Sequence, residues 1–317
     1  MKSRYVNTIR AGERVDDLFV LSRKTMGQKR DGSNYLTIAL TDKTGSIKGV
    51  VWDNVDRIAA RVNSGDFVRA SGSISEYRGD LQFVVKALEP RPAQDLDPTD
   101  FIPATRHDID RMVDQLQKLT GSMQNSYLKG LLDAFWNDPD FVQAFKTAPA
   151  AKKMHHAFVG GLLEHTLSMA VLADKIAGHY RDVDRDVLIT GVILHDLGKV
   201  REFDYQTRID YSDEGRLISH IVIAVQMVEE KIAGIKNFPA ELAMLVKHMI
   251  VSHHGERQFG APEPPKTIEA VLLHYIDEMD SKLNAIREFI AADGSDEHWT
   301  GYHRLLERHF YKGQKNG

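Results

Sequence analysis

The 317-residue sequence predicts a multidomain α and β chain, with a small five-stranded β-barrel in front and an all-α helical bundle behind. Three observations predict it. Apolar residues alternate with period two from Asp17 to Glu89, the spacing becomes helical beyond about residue 105, and a proline-rich stretch separates the two regimes. Charge divides at the same place: residues 1–92 hold 16 Lys and Arg against 11 Asp and Glu, the remainder holds 25 against 34, and all 14 histidines lie beyond residue 100.

Composition narrows the chemistry. A net charge of −4 argues against coating nucleic acid by bulk charge. The absence of cysteine excludes disulfides, thiolate nucleophiles, thiolate zinc sites and iron–sulfur clusters, so any metal must be held by His, Asp and Glu. The first ten residues lack the apolar core of a signal peptide, and no apolar run approaches the roughly 18 residues of a membrane span. The expectation is a cytoplasmic protein without membrane association.

In the front half, Leu36, Ile38 and Leu40 alternate with Tyr35, Thr37 and Ala39, Asp42-Lys43-Thr44-Gly45 turns the chain, and Ile47 to Trp52 returns as a second strand. A short helix is expected over Val55 to Val62. Strands follow at Phe67 to Tyr77 and Leu81 to Leu88. Five strands with a helix between the third and fourth is the order of an OB-fold barrel. The phrases Tyr-Leu-Thr-Ile-Ala-Leu-Thr-Asp-Lys-Thr-Gly-Ser-Ile and Gly-Asp-Phe-Val-Arg-Ala-Ser-Gly are similar to those of nucleic-acid-binding OB domains. In such barrels the loop after the first strand and the exposed sheet face hold the strand by stacking and phosphate contact. The candidates here are Arg23, Lys24, Lys29 and Arg30 in that loop, with Tyr35, Arg69 and Tyr77 in outward register. The alternative is a solvated hairpin tip with scattered surface aromatics.

Residues 1–92 are therefore read as the OB-fold nucleic-acid-binding domain and 93–105 as a linker among Pro90, Pro92, Pro98 and Pro103. Residues 106–317 form the helical domain, with a core at about 155–292. Apolar stripes at Ile109 to Leu119 and Tyr127 to Phe135 are core faces. The pair Gly160-Gly161 permits close backbone approach before a helix that ends near Tyr180. Further helices are expected at Arg185–Asp196, Glu214–Ala233, Pro239–Ser252, Thr267–Ala292 and Glu297–Phe310, with one small hairpin at Arg201–Tyr211.

Val192 to Lys199, Val-Ile-Leu-His-Asp-Leu-Gly-Lys, places His195 and Asp196 at a helix end, where Gly198 is expected to leave the helix in a left-handed conformation. Partners for the pair occur on separate helices: His165, His220, His253 with His254, and Asp277. A lone histidine is more often a core or surface residue than a ligand. The ordered set nevertheless supplies nitrogen and oxygen donors for about two hard or borderline divalent ions.

This set, with Gly-Gly-Leu-Leu-Glu-His-Thr-Leu and Leu-His-Asp-Leu-Gly-Lys, resembles the HD-domain metal phosphohydrolases. With the barrel in front, the chain resembles the YhaM family of bacterial 3′→5′ exoribonucleases over roughly residues 10–310. The resemblance implies that His165, His195, Asp196 and Asp277 hold one ion, and that Asp196 bridges to a second held by His220, His253 and His254. It implies Mn2+ as the metal, although Fe, Co, Ni or Zn suit the same donors. Two ions about 3.5 to 4 Å apart can activate a water and clamp the attacking and leaving oxygens of a phosphodiester. Lys199, His156 and Lys153 are candidates to contact phosphate. Ser219 departs from the glycine that many HD proteins of this kind carry before the histidine.

Three functions fit. The first is a metal-dependent exonuclease that degrades single-stranded RNA or DNA from the 3′ end to nucleoside 5′-monophosphates, with a homo-oligomer expected from the related proteins. The second is a nucleotide or cyclic-dinucleotide phosphohydrolase. The third is a non-catalytic nucleic-acid-binding module.

Overall fold

The computed structural model describes residues 2–313 except 30, 78, 93, 95, 98, 99, 153–155, 206–208 and 296. It divides into two compact units, Met1–Ala104 with Asp204–Asp210, and Thr105–Phe203 with Tyr211–Gly317.

The first unit is a closed barrel of β1 (Arg14–Gln28), β2 (Asn34–Asp42), β3 (Gly45–Val51), β4 (Phe67–Tyr77) and β5 (Asp80–Arg91), ordered β1-β2-β3-β5-β4, with α1 (Val55–Ala59) between β3 and β4. Alternation places Phe19, Leu21, Leu36, Ile38, Leu40 and Phe83 inside, where Phe19 meets the edge of Phe83 at 6.2 Å. Closure comes from the parallel pairing of β3 with β5. The long β1 serves both neighbours: residues 14–20 pair with β4, residues 20–28 pair with β2, and a bulge between Leu21 and Arg23 bends the strand.

That length changes one sequence expectation. Arg23 and Lys24 lie in β1, opposite Ala39 and Ile38, and the loop itself starts at Lys29. Strand pairing continues past the apolar alternation because Thr25 to Gln28 still find backbone partners in Asn34 to Thr37.

The second unit contains α2 (Ile109–Gly121), α3 (Ser126–Trp136), α4 (Pro139–Thr147), α5 (Gly161–His179), α6 (Arg185–Leu194), the short α7 (Lys199–Glu202), α8 (Asp213–Ala233), α9 (Ala240–Ser252) and α10 (Ile268–Ala292). The two-residue strands β6 (Phe203–Asp204) and β7 (Asp210–Tyr211) form the small hairpin. Helix starts are set by side-chain caps: Asp108, Asn125, Asp138, Asp184, Ser212 and Thr267 each accept from a first-turn N–H. Helix α6 is buried from Asp186 through Leu194, so it runs through the core rather than over it, which explains its nearly unbroken apolar sequence.

Glu297–Phe310 is not the helix expected from its spacing. The Thr300 N–H donates to Phe310 O and the His303 N–H to Arg308 O, an irregular antiparallel hairpin whose Trp299 and Tyr311 rings lie 5.2 Å apart. Thr300 and Gly301 are poor helix formers in mid-segment, and pairing across the hairpin supplies the backbone bonds instead.

Candidate metal centre

Helix α6 ends at Leu194, inside the core, and delivers His195 and Asp196 there with 0% and 3% exposure. The chain continues through a tight turn into α7. Gly198 is right-handed at φ −63°, not left-handed as expected. It is required for another reason: a Cβ at this position would stand 2.1 Å from His220 O, so glycine lets the turn press against α8. The same close packing brings His220 towards Asp196.

The Asp196 carboxylate lies between two groups of histidines. Oδ2 is 3.3 Å from His195 Nε2 and 3.8 Å from His165 Nε2, and His165 Nε2 is 3.4 Å from Asp277 Oδ1. Oδ1 is 3.4 Å from His220 Nε2 and 3.5 Å from His253 Nε2, and His220, His253 and His254 cluster together. One carboxylate thus offers one oxygen to each group.

The far nitrogens of four rings are fixed. His195 Nδ1 donates to Val192 O at 2.8 Å and His253 Nδ1 to Ile250 O at 2.7 Å. His220 Nδ1 donates to Glu202 and His165 Nδ1 to Asp280, each at 2.8 Å. Each of these bonds sets the tautomer and leaves the Nε2 lone pair facing inward. Among the described residues, His195 Nε2, Asp196 Oδ1, His220 Nε2, His253 Nε2 and His254 Nδ1 are buried without a hydrogen-bond partner. Four such ring nitrogens around a carboxylate that itself has an unpaired oxygen are costly unless something else ligates them. A nitrogen–oxygen donor set of this kind fits divalent ions.

Protonation agrees with that reading at Asp196 and His254. Burial opposes ionisation of Asp196, yet Lys199 and His195 outweigh it and hold the carboxyl well below the usual carboxylate range. Burial, reinforced by the neighbouring His253 and His220, pushes His254 down to about 3, so it is the neutral, ligand-competent imidazole at neutral pH. For His165, burial is outweighed by the Asp277 and Asp280 carboxylates, which raise it to about 9, so at neutral pH a metal binding there must displace the Nε2 proton before it finds the lone pair.

Behind the histidines stand two carboxylates, Asp280 on α10 and Glu202 on α7. Asp280 accepts from His165, His156, Ser168 and Asn284, and Glu202 accepts from both the His220 ring and its backbone N–H. Asp280 shares the helix face of Asp277 at i+3, a spacing from which the sequence already suggests a supporting or surface role rather than a ligand. Glu202 had no such signal, because only the α7–α8 contact brings it near. Before His220, Ser219 sits at φ 62°, ψ 161° and breaks α8 in two.

A cleft of about 330 Å³ opens onto His165, Asp196, His220, His254 and Asp277, with Lys152 and Lys199 also on its walls. Lys199, at the start of α7, donates from Nζ to Asp196 Oδ2 at 2.6 Å. His156 does not line this cleft. It is buried, with Nε2 on Asp280 at 3.1 Å, so it braces His165 from behind instead of facing a phosphate. Lys153 lies outside the described residues.

On the barrel, the Tyr35 and Trp52 rings pack at 5.4 Å with a tilt of 32°, and Lys29 Nζ lies 5.2 Å from the Trp52 ring centroid. Gly27 makes room: a Cβ there would meet the Tyr35 ring at 2.4 Å. Trp52, 42% exposed, was counted only as a strand end in the sequence. Lys24 is committed elsewhere, donating to Ala59 O and Val62 O at the end of α1. Arg69 is held by both oxygens of Asp16. Arg23 and Tyr77 are exposed, and Arg30 lies outside the described residues.

Among solved structures, the chain is similar to the second OB-fold domain of replication protein A from Methanococcus maripaludis, at 20% identity over 27% of this chain and 92% of that one, with a TM-score of 0.23. It is also similar to PriB from Ralstonia solanacearum, at 15% identity over 25% of this chain and 97% of that one, with a TM-score of 0.23. Residues 19–91 match the model of the OB-fold nucleic acid binding domain, and residues 162–282 match that of the HD domain. The chain therefore carries an OB-fold domain of the nucleic-acid-binding kind followed by an HD domain, a fold of metal-dependent hydrolases.

Proposed function

We propose that the chain is a metal-dependent 3′→5′ exonuclease that hydrolyses single-stranded RNA, with single-stranded DNA as a second substrate, to nucleoside 5′-monophosphates. The observation that carries the reading is Asp196, whose two oxygens each face a histidine group with inward, unpaired ligand atoms. His165, His195, Asp196 and Asp277 would hold one ion; Asp196, His220, His253 and His254 would hold the other. When bound, such ions supply Lewis acidity toward a phosphoryl oxygen and acidify a water. Mn2+ is the ion that the family resemblance names.

The chain's own groups do the rest. Asp280 and Glu202 lock the ring orientations of His165 and His220. Lys199, on the cleft wall beside Asp196, supplies a cation for a phosphate oxygen. On the barrel, Tyr35 and Trp52 form a stacking surface for bases, and Lys29 and Arg23 add positive charge for the backbone. Direction, product and RNA preference come from the resemblance to the YhaM family, as do a cytoplasmic location and assembly into a homo-oligomer. No helix among the described residues is long and apolar enough to cross a membrane.

The test is 5′-labelled single-stranded RNA incubated with the protein in Mn2+ or in EDTA. We expect a ladder that shortens from the 3′ end only with metal, and loss of both turnover and bound metal in Asp196→Ala. An intact oligonucleotide beside hydrolysed nucleotides would instead identify a nucleotide phosphohydrolase. Binding without turnover would identify a non-catalytic module.

A further inference from the structure

Helices α2, α5 and α10 and the residues leading into α2 and α5 line a second, open cavity of about 560 Å³ that shares no lining residue with the metal cleft. Its size lies in the range of small-molecule sites, about 300–1,000 Å³, and is far larger than a lone inorganic anion needs. One part of the wall is apolar, formed by Met112, Leu167 and Val171, of which Val171 remains 48% exposed. Another part is cationic. Arg111 comes from α2 and Arg287 from α10; both are exposed, and neither makes an ion pair among the described residues.

The negative groups of the cavity are already engaged. Asp108 caps α2 by accepting from the Arg111 N–H. Glu164 accepts from Thr105 Oγ1 at 2.6 Å and lies 3.8 Å from His107 Nε2 and 3.9 Å from His156 Nδ1. The cavity therefore holds two carboxylates whose oxygens already have partners and two guanidiniums, from different helices, that have no ion-pair partner among the described residues and are the groups free to take an anion. Guanidiniums present planar forks of donors that suit phosphate oxygens. Beside them an apolar shelf offers a face for a ring, and Gln115 offers polar atoms for its edge.

We propose that this cavity binds a nucleoside monophosphate, its phosphate on Arg111 and Arg287 and its base on Met112, Leu167 and Val171. The location gives the ligand a consequence. His156, Ser168 and Asn284 line this cavity and also hold Asp280, which holds His165 in the metal centre. A nucleotide here touches the back of the structure that orients a metal-binding imidazole. By linkage, occupancy of the cavity and metal affinity alter one another by the same factor.

The binding claim is separable from the nuclease reading, because it is tested in chelator, where no metal-dependent turnover occurs. The full chain is dialysed to equilibrium against labelled adenosine 5′-monophosphate in EDTA. We expect saturable binding of one equivalent, weakened at least tenfold in the double variant Arg111→Gln, Arg287→Gln, with the nucleotide displaced by excess inorganic phosphate but not by adenosine. No saturable binding, equal binding by the variant, or displacement by adenosine as effective as by phosphate would overturn the proposal. A second arm needs no variant. Photocrosslinking with 8-azidoadenosine 5′-monophosphate should label peptides of α2, α5 or α10, and labelling confined to other segments would equally overturn it.

Discussion

Ser219 shows what one residue does to this centre. Its backbone, at φ 62° and ψ 161°, occupies a region open essentially to glycine alone, and the next residue is His220. The break swings the chain so that the His220 N–H and ring both reach Glu202. Holding a serine there costs about 1–3 kcal/mol, and glycine removes that strain at the expense of about 0.5–1 kcal/mol in unfolded-chain entropy. We predict that Ser219→Gly stabilises the protein by about 1 kcal/mol in urea denaturation and leaves bound metal unchanged. A less stable glycine variant would mean that the serine side chain contributes more than its backbone costs. At this scale much of the centre was legible in the sequence. His165, His195, His220, His253, His254 and Asp277 read as one set because donors recur on separate helices. Glu202 and the bracing role of His156 were not legible, since both depend on contacts that only the folded packing of α7, α8 and α10 creates.

At the scale of elements, the barrel shows why outward register alone is a weak guide to binding. Arg69 and Lys24 satisfy the pattern, yet Asp16 holds the first and the carbonyls ending α1 hold the second. Such partners come from neighbouring strands and from α1, and no period-two reading of a single strand can include them. Trp52 was missed for a related reason. It follows β3 and gains its place by packing on Tyr35 of β2, across a sheet register that Leu36 and Val51 define. Base–aromatic stacking contributes about 1–3 kcal/mol per base, so Trp52→Ala should weaken binding of a single-stranded oligonucleotide about tenfold or more in fluorescence anisotropy. Arg69→Ala should change affinity by less than about twofold, because an exposed, already paired guanidinium contributes little. The reverse order of effects would place the binding surface on the β1–β4 face instead.

At the scale of the whole molecule, the change of period after residue 105 divides a barrel from a bundle because each fold buries its apolar residues by a different repeat. The order of helices through α10 followed from that repeat, except for the one-turn α7, which is too short to show a period. The terminal hairpin did not, because Thr300 to Phe310 is organised by cross-strand backbone bonds whose signal is not periodic. The same division separates the responses of the two units to metal. All seven proposed ligands lie in the helical unit and none in the barrel. A ligand that binds only the folded state stabilises it by about 2.7 kcal/mol at one hundred times its dissociation constant. Scanning calorimetry of the full chain should therefore show one transition that rises with Mn2+ and falls back in EDTA, and a second that stays fixed. In Asp196→Ala the metal-dependent shift should shrink or vanish while the fixed transition remains. If both transitions moved together, or if neither responded to Mn2+, the proposed ligand set would not be a metal centre of the helical unit.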